Sequence, residues 1–269
     1  MKLEYYPMKN KKNIVAIAML SLSAPITSTP AFAEGVFSVT SGADYSTGKY
    51  GQSESTDITY IPFVGKYETD LTTIRLTVPW LQITGPGDVV GSDATLISNS
   101  TNRKRMTESG LGDIVFALTQ TIANIGESHP LVVDITGKVK FATASSTNGL
   151  GTGENDYTIT LDGYKPINNS ATLFGGIGYK KTGDPKDINL NNVWSGSCGL
   201  SYKLNQKSST GIMADYRQAS INNSEPMREV TAFFTHKFST TYKLQSYLTH
   251  GYSDASTDWG GGLMLGYIF

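Results

Sequence analysis

Apolar and polar residues alternate one by one through most of the chain, in segments of about ten residues broken by clusters of Gly, Asn, Asp, Ser and Pro. Between residues 130 and 144, Val133, Ile135, Val139 and Phe141 share one parity, while Asp134, Thr136, Lys138 and Lys140 share the other. Successive side chains of a strand point to opposite faces, so such a segment has one apolar face and one polar face. The pattern recurs as Ile74, Leu76, Val78 and Trp80 against Thr73, Arg75 and Thr77, and as Ile114, Phe116, Leu118 and Ile122 against Asp113, Thr119 and Thr121. Tyr157, Ile159 and Leu161 oppose Thr158, Thr160 and Asp162; Val230, Ala232 and Phe234 oppose Glu229, Thr231 and Thr235; Tyr242, Leu244 and Leu248 oppose Lys243, Gln245 and Thr249.

The segmentation predicts twelve strands, near 36–48, 56–67, 71–84, 111–123, 130–144, 155–165, 170–182, 192–204, 209–220, 227–238, 241–252 and 258–269. Two architectures alternate in this way, a β-sandwich and an antiparallel up-and-down transmembrane β-barrel. A sandwich gains nothing from aromatic residues at strand ends, whereas in a membrane such rings suit the headgroup level. Tyr45, Tyr60, Trp80, Tyr157, Tyr179, Trp194, Tyr202, Tyr216, Phe238, Tyr242 and Trp259 fall near predicted strand ends, which favours the barrel. With both chain ends in the periplasm, the long segment Gly85 to Ser109 falls on the external side. Ile167 to Ser170 and Asn205 to Ser208 become short periplasmic turns, the asymmetry expected of bacterial barrels.

The two ends of the chain set the compartment. Lys2, Lys9, Lys11 and Lys12 precede the apolar run Ile14 to Leu22, and Ala31-Phe32-Ala33 precedes Glu34, the pattern of a cleaved signal peptide over 1–33. The predicted mature domain is then 34–269, and no run of about 18 apolar residues follows to make a transmembrane helix. At the other end, Leu263, Leu265, Tyr267 and Phe269 alternate up to a terminal Phe, like the signal by which outer-membrane barrels are handed to their insertion machinery. The expected location is the bacterial outer membrane, with lipid and that machinery as partners.

Without residues 1–33 the chain holds 18 basic and 22 acidic residues, and no basic stripe exists to neutralise phosphates, which argues against nucleic acid. Cys198 is alone and reads as a small apolar wall residue.

Three short phrases carry a resemblance: Ser109-Gly110-Leu111-Gly112-Asp113, Thr56-Asp57-Ile58-Thr59-Tyr60-Ile61-Pro62, and Gly251 through Trp259. Together they resemble a family of proteobacterial outer-membrane proteins named for transport in a phenol meta-degradation pathway. That resemblance implies a barrel and uptake of small molecules, and it carries over no catalytic residue.

The polar parity offers candidate lumen-lining charges: Arg75, Asp113, Asp134, Lys138, Lys140 and Asp162, then Asp215, Arg217, Glu229, Lys237 and Lys243. They line an aqueous path or pair with one another and fill the interior, and both signs are present. His250, Ser253 and Asp254 superficially supply base, nucleophile and acid, but on a strand positions 250 and 253 face opposite sides. His236 shares the lipid-facing parity and His129 precedes Pro130 in a turn, so no zinc site, cofactor or catalytic residue is predicted. The expected function is an outer-membrane channel or transporter for small solutes, with aromatic or hydrophobic compounds as one class. The alternatives are a lipid-modifying enzyme and a structural barrel that binds surfaces through Arg103-Lys104-Arg105.

Overall fold

The computed structural model describes residues 35–97, 105–186 and 188–269; the expected signal peptide and the pair Arg103-Lys104 lie outside them. Among the described residues there are strands and no helix: β1 (Val36–Gly48), β2 (Thr56–Glu68), β3 (Thr72–Gly85), β4 (Val89–Val90), β5 (Thr95–Leu96), β6 (Met106–Leu111), β7 (Ile114–Ile125) and β8 (Leu131–Phe141). After them come β9 (Asp156–Pro166), β10 (Ala171–Lys181), β11 (Val193–Lys203), β12 (Ser208–Arg217), β13 (Met227–Lys237), β14 (Tyr242–Gly251) and β15 (Trp259–Ile268).

Each wall strand pairs antiparallel with its sequence neighbour, and β15 returns to pair with β1, with Val39 opposite Tyr267 and Thr47 opposite Trp259. The sheet therefore closes on itself, as strands that cross a membrane must, and only the short β6 at the rim is paired on one side alone, with β3. β6 and β7 both pair with β3 and form one wall strand interrupted at Gly112-Asp113, so the barrel has twelve wall strands. The fourth strand consequently begins at Met106, not at residue 111 as its alternation suggests. β7 carries a bulge between Thr121 and Ala123, which leaves Ile122 on the outside.

Exposure follows the predicted parity. Leu161 and Ile177, opposite each other at mid-strand in β9 and β10, are 43% and 58% exposed, whereas Asp134 and Thr136 in β8 are buried. The outward face is a continuous apolar belt and the inward face is polar, the inverse of a soluble barrel. Threonines bond across the inner face, Thr119 to Thr136 and Thr231 to Thr249, each at 2.8 Å. Cys198 lies on the outward face opposite Gly175 and Ala214. Tyr60 departs from expectation: it shares the inward parity of Ile58 and packs inside the barrel instead of at the headgroup level.

At one end the connections 49–55, 86–105, 142–155, 182–192, 218–226 and 252–258 are long; at the other, 69–71, 126–130, 167–170, 204–207 and 238–241 are short. The long-loop end is the external one by the same asymmetry, and His129 lies in a short periplasmic turn.

Inward aromatic residues occupy a particular place. Phe174 is the register partner of Gly199, Phe233 of Gly211 and Tyr247 of Gly262, and each ring lies over the glycine of the next strand. A Cβ on Gly262 would stand 2.6 Å from Cε1 of Tyr247, and its three nearest atoms all belong to that flexible side chain. The glycines thus keep these rings flat on the wall and out of the central space. Gly262→Ala is expected to swing Tyr247 inward and lower single-channel conductance in planar bilayers while the barrel still folds.

Candidate functional site: a plugged lumen

The segment after β3 does not stay outside. Residues 86–97 turn into the barrel and form the small hairpin of β4 and β5, so that Val89 and Leu96 pack on Ile58, Leu81 and Ile83 of the inner wall. Tyr50 from the 49–55 loop and Leu150 from the 142–155 loop complete this apolar cluster, with Tyr60 packed against it. Leu81 is fully buried, which an inward side chain of a water-filled barrel cannot be unless something covers it.

At the tip of the hairpin, Gly91 and Ala94 adopt positive φ (73° and 46°) and hold Asp93 against the far wall. Lys180 of β10 donates to Asp93 Oδ2 at 3.1 Å, and both terminal nitrogens of Arg217 in β12 donate to the Asp93 carbonyl at 3.2 Å. β12 is the sixth wall strand from β3, so the segment crosses the barrel from one side to the other. Ser220 Oγ fastens it again, donating to the Leu96 carbonyl at 3.4 Å.

The seat of this plug is written in the strand break. Gly110 has no side chain where a Cβ would lie 2.9 Å from Leu150, and Gly112 leaves the same freedom to Leu81 at 2.7 Å. Asp113 then turns inward: Oδ1 accepts from the backbone N–H groups of Thr143 (3.1 Å) and Ala144 (2.9 Å), and Oδ2 pairs with Lys140 at 3.1 Å. Lys140 also pairs with Asp156 at 3.2 Å. The motif Ser109 to Asp113 therefore packs the plug and ties the 142–155 loop over it.

The other two phrases meet at the same rim. Thr56 is buried beneath Gly85, and Ser256 locks the 252–258 loop by accepting from the Arg228 N–H (2.8 Å) and donating to its carbonyl (2.9 Å). Arg105 is bonded to Asp57 and to the Ser55 carbonyl, which places it on the barrel rim.

Arg75, Asp134, Lys138, Asp162, Asp215, Arg217, Glu229, Lys237 and Lys243 all sit at inward register positions, as do Lys140 and, through the strand break, Asp113. The structure adds inward charges that parity alone did not single out: Asp44, Lys66, Glu68, Asp156 and Lys180. Lys66 and Glu68 form an ion pair at 2.5 Å toward the periplasmic end, in the same electrostatic neighbourhood as Arg75, Lys237 and Lys243. Asp44 and Asp215 share another with Glu229. Charge is thus segregated within the lumen without one sign dominating.

Burial by itself would raise the Asp93 carboxyl, but Lys180, Lys140 and Arg217 outweigh it and hold this loop residue well below the ordinary carboxylate range. Lys138, Asp113 and Asp156 complete its charged surroundings. A carboxylate held low stabilises its contact above the ordinary value of about 3.9 and loses it only as pH falls through the depressed one. The Asp93 carboxyl is therefore expected to keep the NMR carbon shift of an ionised carboxylate between about pH 7 and 5, and protonation of Asp93 near pH 5 would count against the contact.

The His250 constellation does not assemble. His250 faces outward against Trp259 (4.3 Å) with Nδ1 at 2.7 Å from the Asp258 carbonyl, while Ser253 Oγ donates to the Pro226 carbonyl. His236 also faces outward, between Phe234 and Phe238, and reaches Ser208. Among the described residues no group of His, Cys, Asp and Glu could hold a metal.

No protein-family model and no curated protein matches the chain. Solved structures do: an outer membrane channel from Pseudomonas putida F1 superposes with a TM-score of 0.67 over 91% of this chain and 100% of that one, at 12% identity. The NanC porin superposes with a TM-score of 0.51 over 86% of this chain and 98% of that one, at 8% identity. The chain has the fold of an outer-membrane β-barrel. With its apolar belt and closed antiparallel wall, the barrel resides in the bacterial outer membrane. These structures share the barrel fold that the sequence resemblance implies and carry nothing on a phenol pathway.

Proposed function

We propose that this protein is a passive outer-membrane channel for small solutes, narrowed in its external half by residues 86–97. One observation carries the reading: inward-facing Asp44, Lys66, Arg75, Lys138, Asp162, Asp215, Glu229 and Lys243 are half-buried, not fully buried, inside a closed barrel. A filled barrel would bury them; a hollow one need not. The inward rings bear on the solute class. Tyr164, Phe174, Phe233 and Tyr247 are only 4–7% exposed, so the accessible lining is polar and charged. That lining supports small hydrophilic solutes over the aromatic or hydrophobic class that the sequence reading named as one option.

Refolded protein in planar bilayers tests the reading. Discrete conductance steps, together with faster swelling of liposomes in small sugars or amino acids, are expected. A barrel that folds and inserts yet conducts nothing and passes no solute would refute it.

A further inference from the structure

We propose that Lys138, Lys180 and Arg217 form a binding station for small carboxylates on the lumen wall, and that Asp93 is a tethered stand-in occupying it when no solute is bound. The inference rests on the channel reading and adds to it the chemistry of the solute.

The register lines up the station. Lys180 in β10 is opposite Thr158 in β9, and Thr158 is opposite Lys138 in β8, so two ammonium groups flank a hydroxyl in one inward row. Arg217 approaches from β12, two strands further round, and meets the same occupant as Lys180. Lys180 therefore meets the Asp93 carboxylate, Arg217 meets the backbone carbonyl of the same residue, and Lys138 lies in the same electrostatic neighbourhood, while the neighbouring Lys140 is already committed to Asp113 and Asp156. Among the described residues Lys138 has no ion pair within 4.0 Å, and Lys180 has, besides Asp93, only the longer contact of 3.8 Å to Asp156. Arg217 directs both arms of its fork at a single carbonyl oxygen, although a guanidinium fork matches the two oxygens of a carboxylate.

The occupant is suited to leave. Asp93 lies on a hairpin tip, its side chain is 31% exposed, and the hydrogen bonds and ion pair that join it to the wall run to Lys180 and Arg217. A solute carboxylate accepts from Lys180 in place of the Asp93 side chain, and its two oxygens match the Arg217 fork that a single carbonyl oxygen leaves half used. Because Asp93 is tethered, it competes at a high effective concentration, so free carboxylates bind weakly to the native chain and more tightly once it is removed.

Calorimetric titration of the refolded full-length barrel in detergent with acetate, and separately with sulfate, tests this without requiring conduction. Asp93→Ala is expected to bind acetate at least about tenfold more tightly than the native chain, and Asp93→Ala with Lys180→Ala is expected to lose that gain. Asp93→Asn provides the same test should the alanine variant fold poorly. Equal acetate affinity in native and Asp93 variants, persistence of the gain without Lys180, or an equal gain for sulfate and acetate would each overturn the proposal. Tight acetate binding in a barrel that conducts nothing would refute the channel reading and leave the station standing.

Discussion

Leu161→Arg should destabilise the inserted barrel by roughly 2 to 4 kcal/mol, because it places a cation on the lipid face near mid-strand. Leu161 is 43% exposed, and its cross-strand partner Ile177 is 58% exposed on the same outer surface. No acidic group faces it there, so the guanidinium must be solvated by distorting the bilayer. One residue earlier the result reverses. Thr160 points inward and donates to Asp162 at 3.1 Å, so Thr160→Arg enters water beside a carboxylate and should change stability little. Thr136 is unsuitable as the permissive control that its parity suggests, because it is buried and bonded to Thr119. Denaturant titration of folding into lipid vesicles measures both variants, and equal tolerance at 160 and 161 would overturn the assignment of faces.

Val89→Asp should release the plug. Val89 is 1% exposed among Leu81, Ile83 and Leu96, and a carboxylate cannot remain ionised in that apolar cluster without large desolvation cost. The wall does not depend on the hairpin for any ladder bond, since β4 and β5 pair only with each other. The expected outcome is a barrel of ordinary folding efficiency with several-fold higher conductance in bilayer recordings. Unchanged conductance would mean that residues 86–97 do not set the narrowest passage.

These two outcomes correspond to what alternation does and does not encode. Most of the wall was legible because lipid on one side and water on the other impose a strict period of two, as in β8, β9, β13 and β14. Alternation weakens where the plug sits. Ile58 and Tyr60 face inward while Ile61 and Phe63 face outward, and Leu81 and Ile83 face inward beside outward Trp80. Apolar residues on both faces of the external halves of β2 and β3 were the available signal that something apolar folds onto the inner wall. Tyr60 was misplaced for that reason. Asp93 left no periodic trace because it lies on a hairpin tip, and its partners Lys180 and Arg217 come from strands distant in sequence. The Gly-rich phrase Ser109 to Asp113 was visible as a resemblance, but its role depends on Leu150 and Leu81, which only the folded barrel brings to Gly110 and Gly112.

The central claim, a solute path through the lumen, is tested most directly by thiol modification during single-channel recording. In a Cys198→Ala background, Gln245→Cys places a thiol on the inward face and Leu244→Cys places one on the outward face of the same strand. A water-soluble, charged methanethiosulfonate reagent should reduce current stepwise in the first variant and leave the second unchanged. Current that persists unaltered after confirmed modification at position 245 would contradict conduction through this lumen.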